Sequence, residues 1–154
     1  MNDLSLHIID ILQNSVRAGA ANIWLTVEVD TEKDNLSIVI KDDGRGMSHE
    51  QLEMLDDPFF TTRTTRRVGM GIPLFRQSAE QCGGSLTVGS APGEGTVVLA
   101  SFGYSNIDRP PLGDLAGSFV MTAASYPETR FILRFVFDGR EYVFDTYEIK
   151  EVLG

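Results

Sequence analysis

Hydrophobic positions near the N-terminus recur at steps of three and four. Over residues 4–18 this spacing predicts an amphipathic helix, and its core-facing positions are Leu4, Ile8, Ile11, Leu12 and Ser15. A polar stripe follows another side of the same helix and consists of Asp3, His7, Asp10, Asn14 and Arg17. Gly19 is expected to stop the helix.

Two segments then alternate between apolar and polar residues, which predicts β-strands over 23–29 and 36–41 joined by a polar turn at 32–35. The second strand runs directly into the sequence DDGRGM at 42–47. Ser48 and Gln51 have the spacing of a capping box, so a short helix should begin there and end at Asp57-Pro58.

The next segment, FFTTRTTRRVGMG at 59–71, has few core-forming residues, and we expect a mobile loop. A second helix is predicted over about 72–82, with burial expected at Leu74, Phe75, Ser78, Ala79 and Cys82. A hairpin around residues 91–95 follows; the positions that suggest it are Leu86, Val88, Val97, Leu99 and Ser101.

The clearest break in the chain is RPPLG at 109–113. Beyond it, alternation over 131–137 leads into Asp138-Gly139, a strong hairpin signal, with a return strand at 141–146 and a short terminal helix. This aromatic-rich hairpin is expected to extend the sheet or to cover an open face of it. The alternative is a surface for a partner or for a homodimer.

Composition narrows the class of protein. The chain has 154 residues and a net charge of −9, which argues against binding to nucleic acid or to an anionic membrane. The single cysteine, Cys82, excludes an internal disulfide. With no secretory leader and no long apolar run, we expect a cytoplasmic protein.

The polar stripe also suggests chemistry. Asp10 and Asn14 are one turn apart and offer oxygen ligands of the kind that Mg²⁺ prefers, while Arg17 could meet a phosphate. On its own, the stripe is more typical of the solvated face of an amphipathic helix than of a metal or phosphate site.

The loop after the second strand could recognise a base. Asp42 could accept a hydrogen bond from an exocyclic amine, and Gly44 and Gly46 could let a flat ring approach the backbone. The alternative is a glycine-rich turn with a capping aspartate. Further on, Gly69 and Gly71 open a helix next to three arginines and could bind an anion, although a solvated basic loop has the same composition.

Taken in order, these motifs resemble the Bergerat-type ATP-binding domain of the gyrase, heat-shock chaperone, histidine kinase and MutL (GHKL) superfamily. DILQNSVRAGA at 10–20 is similar to the first motif of that superfamily, and its ending is most similar to the MutL branch. DDGRGM at 42–47 resembles its adenine-binding motif. DPFFTTR at 57–63, GMGIPL at 69–74 and CGGSLTVGSAPGEGTVV at 82–98 resemble the phenylalanine box, the lid motif and the glycine-rich end of sensor histidine kinase catalytic domains.

The resemblance implies an α/β (α+β) two-layer sandwich of helices on a mixed sheet, with a C-terminal β-hairpin extension. It divides the chain into an ATP-binding domain at 1–103 and an extension at 104–154, expected to pack on the same domain. It also implies ATP and Mg²⁺ as ligands, with Asn14 holding the metal and Asp10 helping through water. The implied ATP-binding residues are Asn14, Arg17, Asp42, Gly44, Gly46, Met47, Thr62, Arg63, Arg67, Gly69, Met70, Gly71, Ile72 and Thr96.

Two departures from the superfamily pattern affect the expected function. Hydrolysing branches carry glutamate where this chain has Asp10, which makes Asp10 a weak candidate for a general base. Neither His7 nor His49 lies in the paired helical hairpin that carries a kinase phosphoacceptor. We therefore expect a stand-alone kinase or ATPase that acts in trans on a partner carrying the phosphoacceptor. The alternatives are a nucleotide-sensing module without catalysis and a subunit of a slow MutL-like ATPase machine.

Overall fold

A computed structural model describes residues 3–55 and 71–148 of the chain. Within these ranges the helices are α1 (Leu4–Arg17), α2 (His49–Met54), α3 (Gly71–Gln81) and α4 (Leu115–Ser125). The strands are β1 (Asn22–Asp30), β2 (Asn35–Asp42), β3 (Ser85–Ala91), β4 (Gly95–Gly103), β5 (Arg130–Phe137) and β6 (Arg140–Asp145).

The described strands form one six-stranded sheet in the order β3-β4-β2-β1-β5-β6. β1 pairs in parallel with β5, and the other neighbours are antiparallel. The expected arrangement of helices on a mixed sheet is therefore confirmed. The C-terminal hairpin extends the sheet beside β1, and its turn places Asp138 and Gly139 at φ values of 47° and 87°, as the Asp-Gly signal predicts.

One hydrophobic core joins the helices to the sheet. All five core-facing positions predicted on α1 are buried, including Ser15, and they pack with the alternating apolar residues of β1 and β2. Phe75 of α3, Phe119 of α4 and Phe131 of β5 are also buried in this core. The predicted helix α1 and the first two strands are confirmed.

Part of the buried face predicted for α3 was wrong. Leu74 is 50% exposed, because Ile72, Phe75 and Ala79 form the buried face of α3. The predicted hairpin around residues 91–95 is confirmed as β3–β4; the core-facing positions of β4 are Val98, Ala100 and Phe102, and Leu86 of β3 lies opposite Ala100.

Helix α4 was not predicted at all. Asp114 caps it by accepting a hydrogen bond from the amide of Gly117 at 3.0 Å. The predicted end of α2 at Asp57-Pro58 and the loop at 59–70 lie outside the described residues. The predicted terminal helix is seen only at residues 146–148, where the description ends.

Both ends of α1 are held by backbone hydrogen bonds, which positions the polar stripe. At its start, the amides of Leu4 and Ser5 donate to the carbonyl oxygens of Pro111 and Leu112 at 2.8 and 3.1 Å. Beyond its end, the carbonyl oxygen of Ala18 accepts from the amide of Arg45 at 2.9 Å. The first part of the C-terminal extension therefore contacts the predicted ATP-binding helix. The division after residue 103 remains a prediction.

Candidate functional site

A cavity of about 330 Å³ lies between α1, the end of β2, the loop at 42–47 and β4. Its volume is within the range of small-molecule sites. The predicted site residues that line it are Asn14, Arg17, Asp42, Gly46, Met47, Ile72 and Thr96. Residues from distant parts of the sequence thus meet around one concave surface, as the motif resemblance implied; their individual roles remain predictions.

The carboxylate of Asp42 is the buried charge of this cavity. Its side chain is 5% exposed. Oδ2 accepts a hydrogen bond from Ser15 Oγ at 2.6 Å, and Oδ1 accepts one from the amide of Gly44 at 2.8 Å. Because an ionised carboxylate can accept about four hydrogen bonds, capacity remains for a donor from a ligand.

Gly44 and Gly46 have a packing role in the loop at 42–47, beside the role predicted for them in base recognition. Gly46 has φ +71°, and a Cβ there would overlap the carbonyl oxygen of Ala91. A Cβ on Gly44 would lie 2.8 Å from the carbonyl oxygen of Ala18. The two glycines thus let the loop pack against α1 and the β3–β4 hairpin, and only Gly46 lines the cavity.

Thr96 lies directly opposite Asp42 in the β2–β4 pairing. Its hydroxyl is 2.8 Å from Ser90 Oγ, which also accepts from the amide of Met47 at 2.8 Å and donates to the carbonyl oxygen of Gly95 at 2.9 Å. Since the single hydroxyl hydrogen of Ser90 is used on Gly95, Thr96 donates to Ser90. This network joins the loop at 42–47 to the β3–β4 hairpin.

Asn14 and Arg17 contact each other at the surface of α1. Arg17 Nη1 donates to Asn14 Oδ1 at 3.0 Å. Asp10 is not among the residues that line the cavity. Within residues 3–55 and 71–148, no group of three or more histidine, cysteine or acidic side chains could hold a metal ion.

Several predicted site residues cannot be placed. Thr62, Arg63, Arg67, Gly69 and Met70 lie outside the described residues. Gly71 is described only as the first residue of α3. Ile72, the next residue, is buried and reaches the cavity.

The side chain of Asp43, next to Asp42, accepts hydrogen bonds from residues at the start of β1. Its Oδ1 accepts from the amides of Ala21 and Asn22 at 2.8 and 2.9 Å, and its Oδ2 accepts from Asn22 Nδ2 at 2.8 Å. Desolvation, the largest single influence, raises the pKa of Asp43, but the hydrogen bonds from Asn22 and Ala21 together hold that pKa below its usual value. Asp43 therefore joins the loop to the start of β1.

Neither histidine lines the described cavity. The His7 ring stacks on Phe75 with 5.4 Å between ring centroids. Burial lowers the pKa of His7, although the charges of Asp10 and Asp3 partly oppose that shift. His49 is 84% exposed and lies 3.1 Å from Glu53 on α2.

Sequence reasoning missed several residues in or next to the cavity, among them Ser15, Arg45 and Ser90. Ser15 is predicted only as a core position, and Arg45 and Ser90 are given no role by the sequence. A serine on the otherwise apolar face of α1 was the available signal for Ser15, because a buried hydroxyl needs a partner. Arg45 lines the cavity and is exposed.

Comparisons with known proteins show which family this chain resembles. The family model of histidine kinase-, DNA gyrase B- and HSP90-like ATPases matches residues 2–105. Sensor protein DegM of Bacillus sp. (strain B21-2) is 32% identical over 100 residues, which cover 65% of this chain and 26% of DegM. Sporulation kinase E of Bacillus subtilis (strain 168) is 34% identical over 98 residues, which cover 62% of this chain and 13% of that kinase. The chain thus spans about a quarter or less of these relatives.

Among solved structures, the Aquifex aeolicus MutL ATPase domain complexed with ADP matches with a TM-score of 0.53 and 16% identity, over 95% of this chain and 66% of that one. This likeness supports the fold. No helix in the described part of the chain is long and apolar enough to cross a membrane. Since the family model covers about two-thirds of the sequence, this chain belongs to the histidine kinase-, DNA gyrase B- and HSP90-like (GHKL) ATPase family.

Proposed function

We propose that this chain binds Mg²⁺-ATP in the cavity and transfers its terminal phosphoryl group to an acceptor on a separate polypeptide. The observation that supports this most is the meeting of Asp42, Asn14 and Arg17 around one cavity of suitable size. A buried acceptor for a base and polar and cationic side chains for phosphates are the two things that an adenine nucleotide needs.

Base recognition is assigned to Asp42. The exocyclic amine of adenine is a donor, whereas guanine presents a carbonyl oxygen at the same position. A buried carboxylate that can still accept hydrogen bonds would therefore favour adenine. The carbonyl oxygen of guanine would face the carboxylate as a second acceptor and leave a buried polar group unpaired.

The oxygen atoms that line the cavity fit a magnesium ion that binds together with the nucleotide. Asn14 supplies an amide oxygen at the cavity, and the described residues contain no cluster of acidic side chains that could bind the metal alone. Mg²⁺ commonly keeps several waters and binds phosphates with few protein ligands. When bound, it would neutralise charge on the phosphates; Asn14 would orient it, and Arg17 would hold a phosphate.

The acceptor is proposed to lie on another polypeptide because neither histidine of this chain is at the cavity. His7 is stacked on Phe75, and His49 is at the exposed surface of α2. In-line transfer requires the acceptor to approach the terminal phosphate opposite the leaving ADP. Two relatives are named as a sensor protein and a sporulation kinase, and these names support a signalling protein as the partner.

The test begins with calorimetry of ATP and GTP binding in Mg²⁺. The wild type should prefer ATP, and Asp42→Ala should weaken ATP binding by about 10- to 150-fold, the usual effect of losing a hydrogen bond to a charged group. The matched control is Glu94→Ala, which removes an exposed carboxylate of the β3–β4 turn. Equal wild-type affinities for ATP and GTP would contradict the proposed base recognition.

Phosphoryl transfer is tested separately with γ-labelled ATP. The pure protein should acquire no label on histidine, whereas a partner isolated in the presence of ATP should become labelled. Stoichiometric label on His7 or His49 would refute the trans model.

A second function, nucleotide sensing without catalysis, is favoured by the position of Asp10. This residue, the candidate base, is not among those that line the described cavity. Tight ATP binding, with neither hydrolysis nor transfer in single-turnover measurements, would support this alternative over the kinase.

The exposed edge of the sheet supports a role for the extension in association. Tyr142 and Val143 on β6 are largely exposed, and β6 ends the described sheet with one side unpaired. We propose that this edge contributes to a homodimer. Analytical ultracentrifugation should then show dimers, which Val143→Lys should disrupt.

A further inference from the structure

We propose that Ser15 is a positioning residue that fixes the hydrogen-bonding polarity of the base-recognition end of the cavity. This inference rests on the proposed function, because it concerns how Asp42 selects a base. Ser15 lies on the core-facing side of α1, is 4% exposed and lines the cavity.

The hydroxyl hydrogen of Ser15 has a defined direction. Ser15 Oγ is 2.6 Å from Asp42 Oδ2, a short distance typical of a hydroxyl that donates to a carboxylate. An ionised carboxylate has no hydrogen to donate, so the hydrogen of this bond must come from Ser15. The serine therefore has only lone pairs left for any further contact.

In the other contact of Asp42, its carboxylate is again the hydrogen-bond acceptor. The amide of Gly44 donates to Oδ1 at 2.8 Å. Each carboxylate oxygen thus already accepts one hydrogen bond from the protein, and the two donors together fix the plane of the carboxylate. The ligand meets an end of the cavity at which Asp42 and Ser15 offer acceptors only.

Such a surface specifies a chemical class of ligand. It fits a heterocycle with an amino group at the recognised edge, as in adenine, and rejects one with a carbonyl oxygen there, as in hypoxanthine. Because Ser15 and Asp42 are buried, an acceptor of the ligand that faces them would leave buried polar groups without a donor, which is unfavourable. Without Ser15, Asp42 could turn, and the preference should weaken.

Ser5 provides a matched control on the same helix. It is also a buried serine, 3% exposed, and its Oγ donates to Asp3 Oδ1 at the same distance of 2.6 Å. Ser5 is not among the residues that line the cavity. Ser5→Ala and Ser15→Ala therefore remove similar hydrogen bonds, and only the second touches the proposed base site.

The first experiment measures the affinities of ADP and inosine diphosphate by calorimetry for both variants, with circular dichroism to confirm folding. Ser15→Ala should weaken ADP binding about tenfold and leave the inosine nucleotide nearly unchanged. Ser5→Ala should keep the wild-type ratio of the two affinities. An unchanged ratio in Ser15→Ala would overturn the inference while leaving ATP binding intact.

The second experiment reverses the polarity with Asp42→Asn. Because the Gly44 amide still needs an acceptor, the new amide oxygen should stay at Gly44 and the new NH2 group should face Ser15. Ser15 Oγ would then accept, and its hydrogen would turn toward the cavity. The ratio of inosine to adenine nucleotide affinity should therefore rise by about tenfold or more.

The double variant Ser15→Ala/Asp42→Asn separates the two residues. If Ser15 supplies the inward-facing donor, the double variant should bind the inosine nucleotide more weakly than Asp42→Asn does. Equal affinity in the two would overturn the role of Ser15. A wild type that binds neither nucleotide would instead refute the proposed function, and this inference with it.

Discussion

Asn14 Oδ1, the atom assigned to Mg²⁺, already accepts a hydrogen bond from Arg17 at 3.0 Å. A metal cation and a guanidinium cannot both bind closely to that oxygen without repulsion. Arg17 is exposed, so it can turn away as the nucleotide enters. Metal binding and the movement of Arg17 toward a phosphate should therefore be coupled.

This coupling gives a prediction for Asn14→Ala. The variant should lose most of the Mg²⁺-dependent part of ATP affinity, about tenfold if one ligand contact is lost, and should bind ATP like the wild type in EDTA. Calorimetry in the two buffers measures the difference. Gln13→Ala, the preceding residue on α1, is the control and should keep the magnesium effect. A magnesium effect of wild-type size in Asn14→Ala would contradict the assignment.

At the scale of residues, sequence reasoning was strongest where a motif specified an identity. The positions of Asn14, Asp42 and Thr96 around one cavity follow from spacing and family resemblance. Ser15 could not be assigned in advance, because its partner Asp42 is distant in sequence and the two meet only when α1 packs on β2. Contacts of this kind require the tertiary structure.

At the scale of elements, the loop at 42–47 depends on Gly46 for its contact with the β3–β4 hairpin. Gly46 and Gly93 both have positive φ, at +71° and +78°. A Cβ at Gly46 would overlap Ala91, whereas a Cβ at Gly93 would meet nothing within 4 Å. Comparing alanine at the two positions therefore separates backbone strain from steric overlap.

We expect Gly46→Ala to destabilise the protein clearly more than Gly93→Ala, whose cost should be about 1–2 kcal/mol from the left-handed conformation alone. Thermal unfolding followed by circular dichroism measures this. Gly46→Ala should also weaken ATP binding, because Met47 and Arg45 line the cavity beside it. Equal losses of stability in the two variants would show that the loop does not need close contact with Ala91.

The hairpin β5–β6 contains a titratable ion pair. Asp145 accepts from Arg130 Nε at 3.1 Å and from Nη2 at 2.6 Å. The hydrogen bond from Arg130 holds the pKa of Asp145 below its usual value. Since the native pKa is depressed, the pair stabilises the fold above the unfolded pKa of about 3.9. That contribution is lost as the pH falls through the native pKa.

Asp145→Asn should therefore lower the Tm at pH 7 by about 3 °C. The difference from the wild type should shrink as the pH falls from about 5 toward 2. Thermal scans over this range provide the measurement, with the exposed Glu94→Gln as the control. A difference that does not change with pH would mean that the charge of Asp145 contributes nothing.

Helix α4 could not be predicted from the composition of its segment. Its sequence LAGSFVMTAAS contains glycine, threonine and serines, which are weak helix formers. The helix is stabilised by the Asp114 cap and by burial of Leu115, Phe119 and Ala123.

On β4, both faces carry apolar residues, so alternation alone could not identify the buried one. The pairing with β3 decides it.

At the scale of the whole molecule, the extension is part of the same sheet as the ATP-binding motifs. β5 pairs with β1 along its length, and Phe131 is fully buried opposite Ile23. Sequence reasoning allowed for an extended sheet but could not identify β1 as the partner, because strand pairing between distant segments leaves no local signal.

A chain that ends at residue 103 would lose α4, β5 and β6 and expose one edge of β1. We expect it to lose cooperative thermal unfolding and to bind ATP at least tenfold more weakly. In the full chain, Phe131→Ala should cost about 3–5 kcal/mol, the usual effect for a buried aromatic side chain. Cooperative unfolding of the shorter chain at the wild-type temperature would establish residues 1–103 as an independent domain.

The parallel pairing of β1 with β5 also affects the order in which the protein can form during synthesis. Asn22 leaves the ribosome long before its partner Arg130. The hairpins β1–β2 and β3–β4 involve nearby residues and can assemble early, whereas closure of the loop between β1 and β5 is slow. Until β5 docks, β1 has an unpaired hydrophobic edge that other chains could bind. The nascent chain is thus most exposed to aggregation, and to capture by chaperones, in the interval between synthesis of β1 and docking of β5.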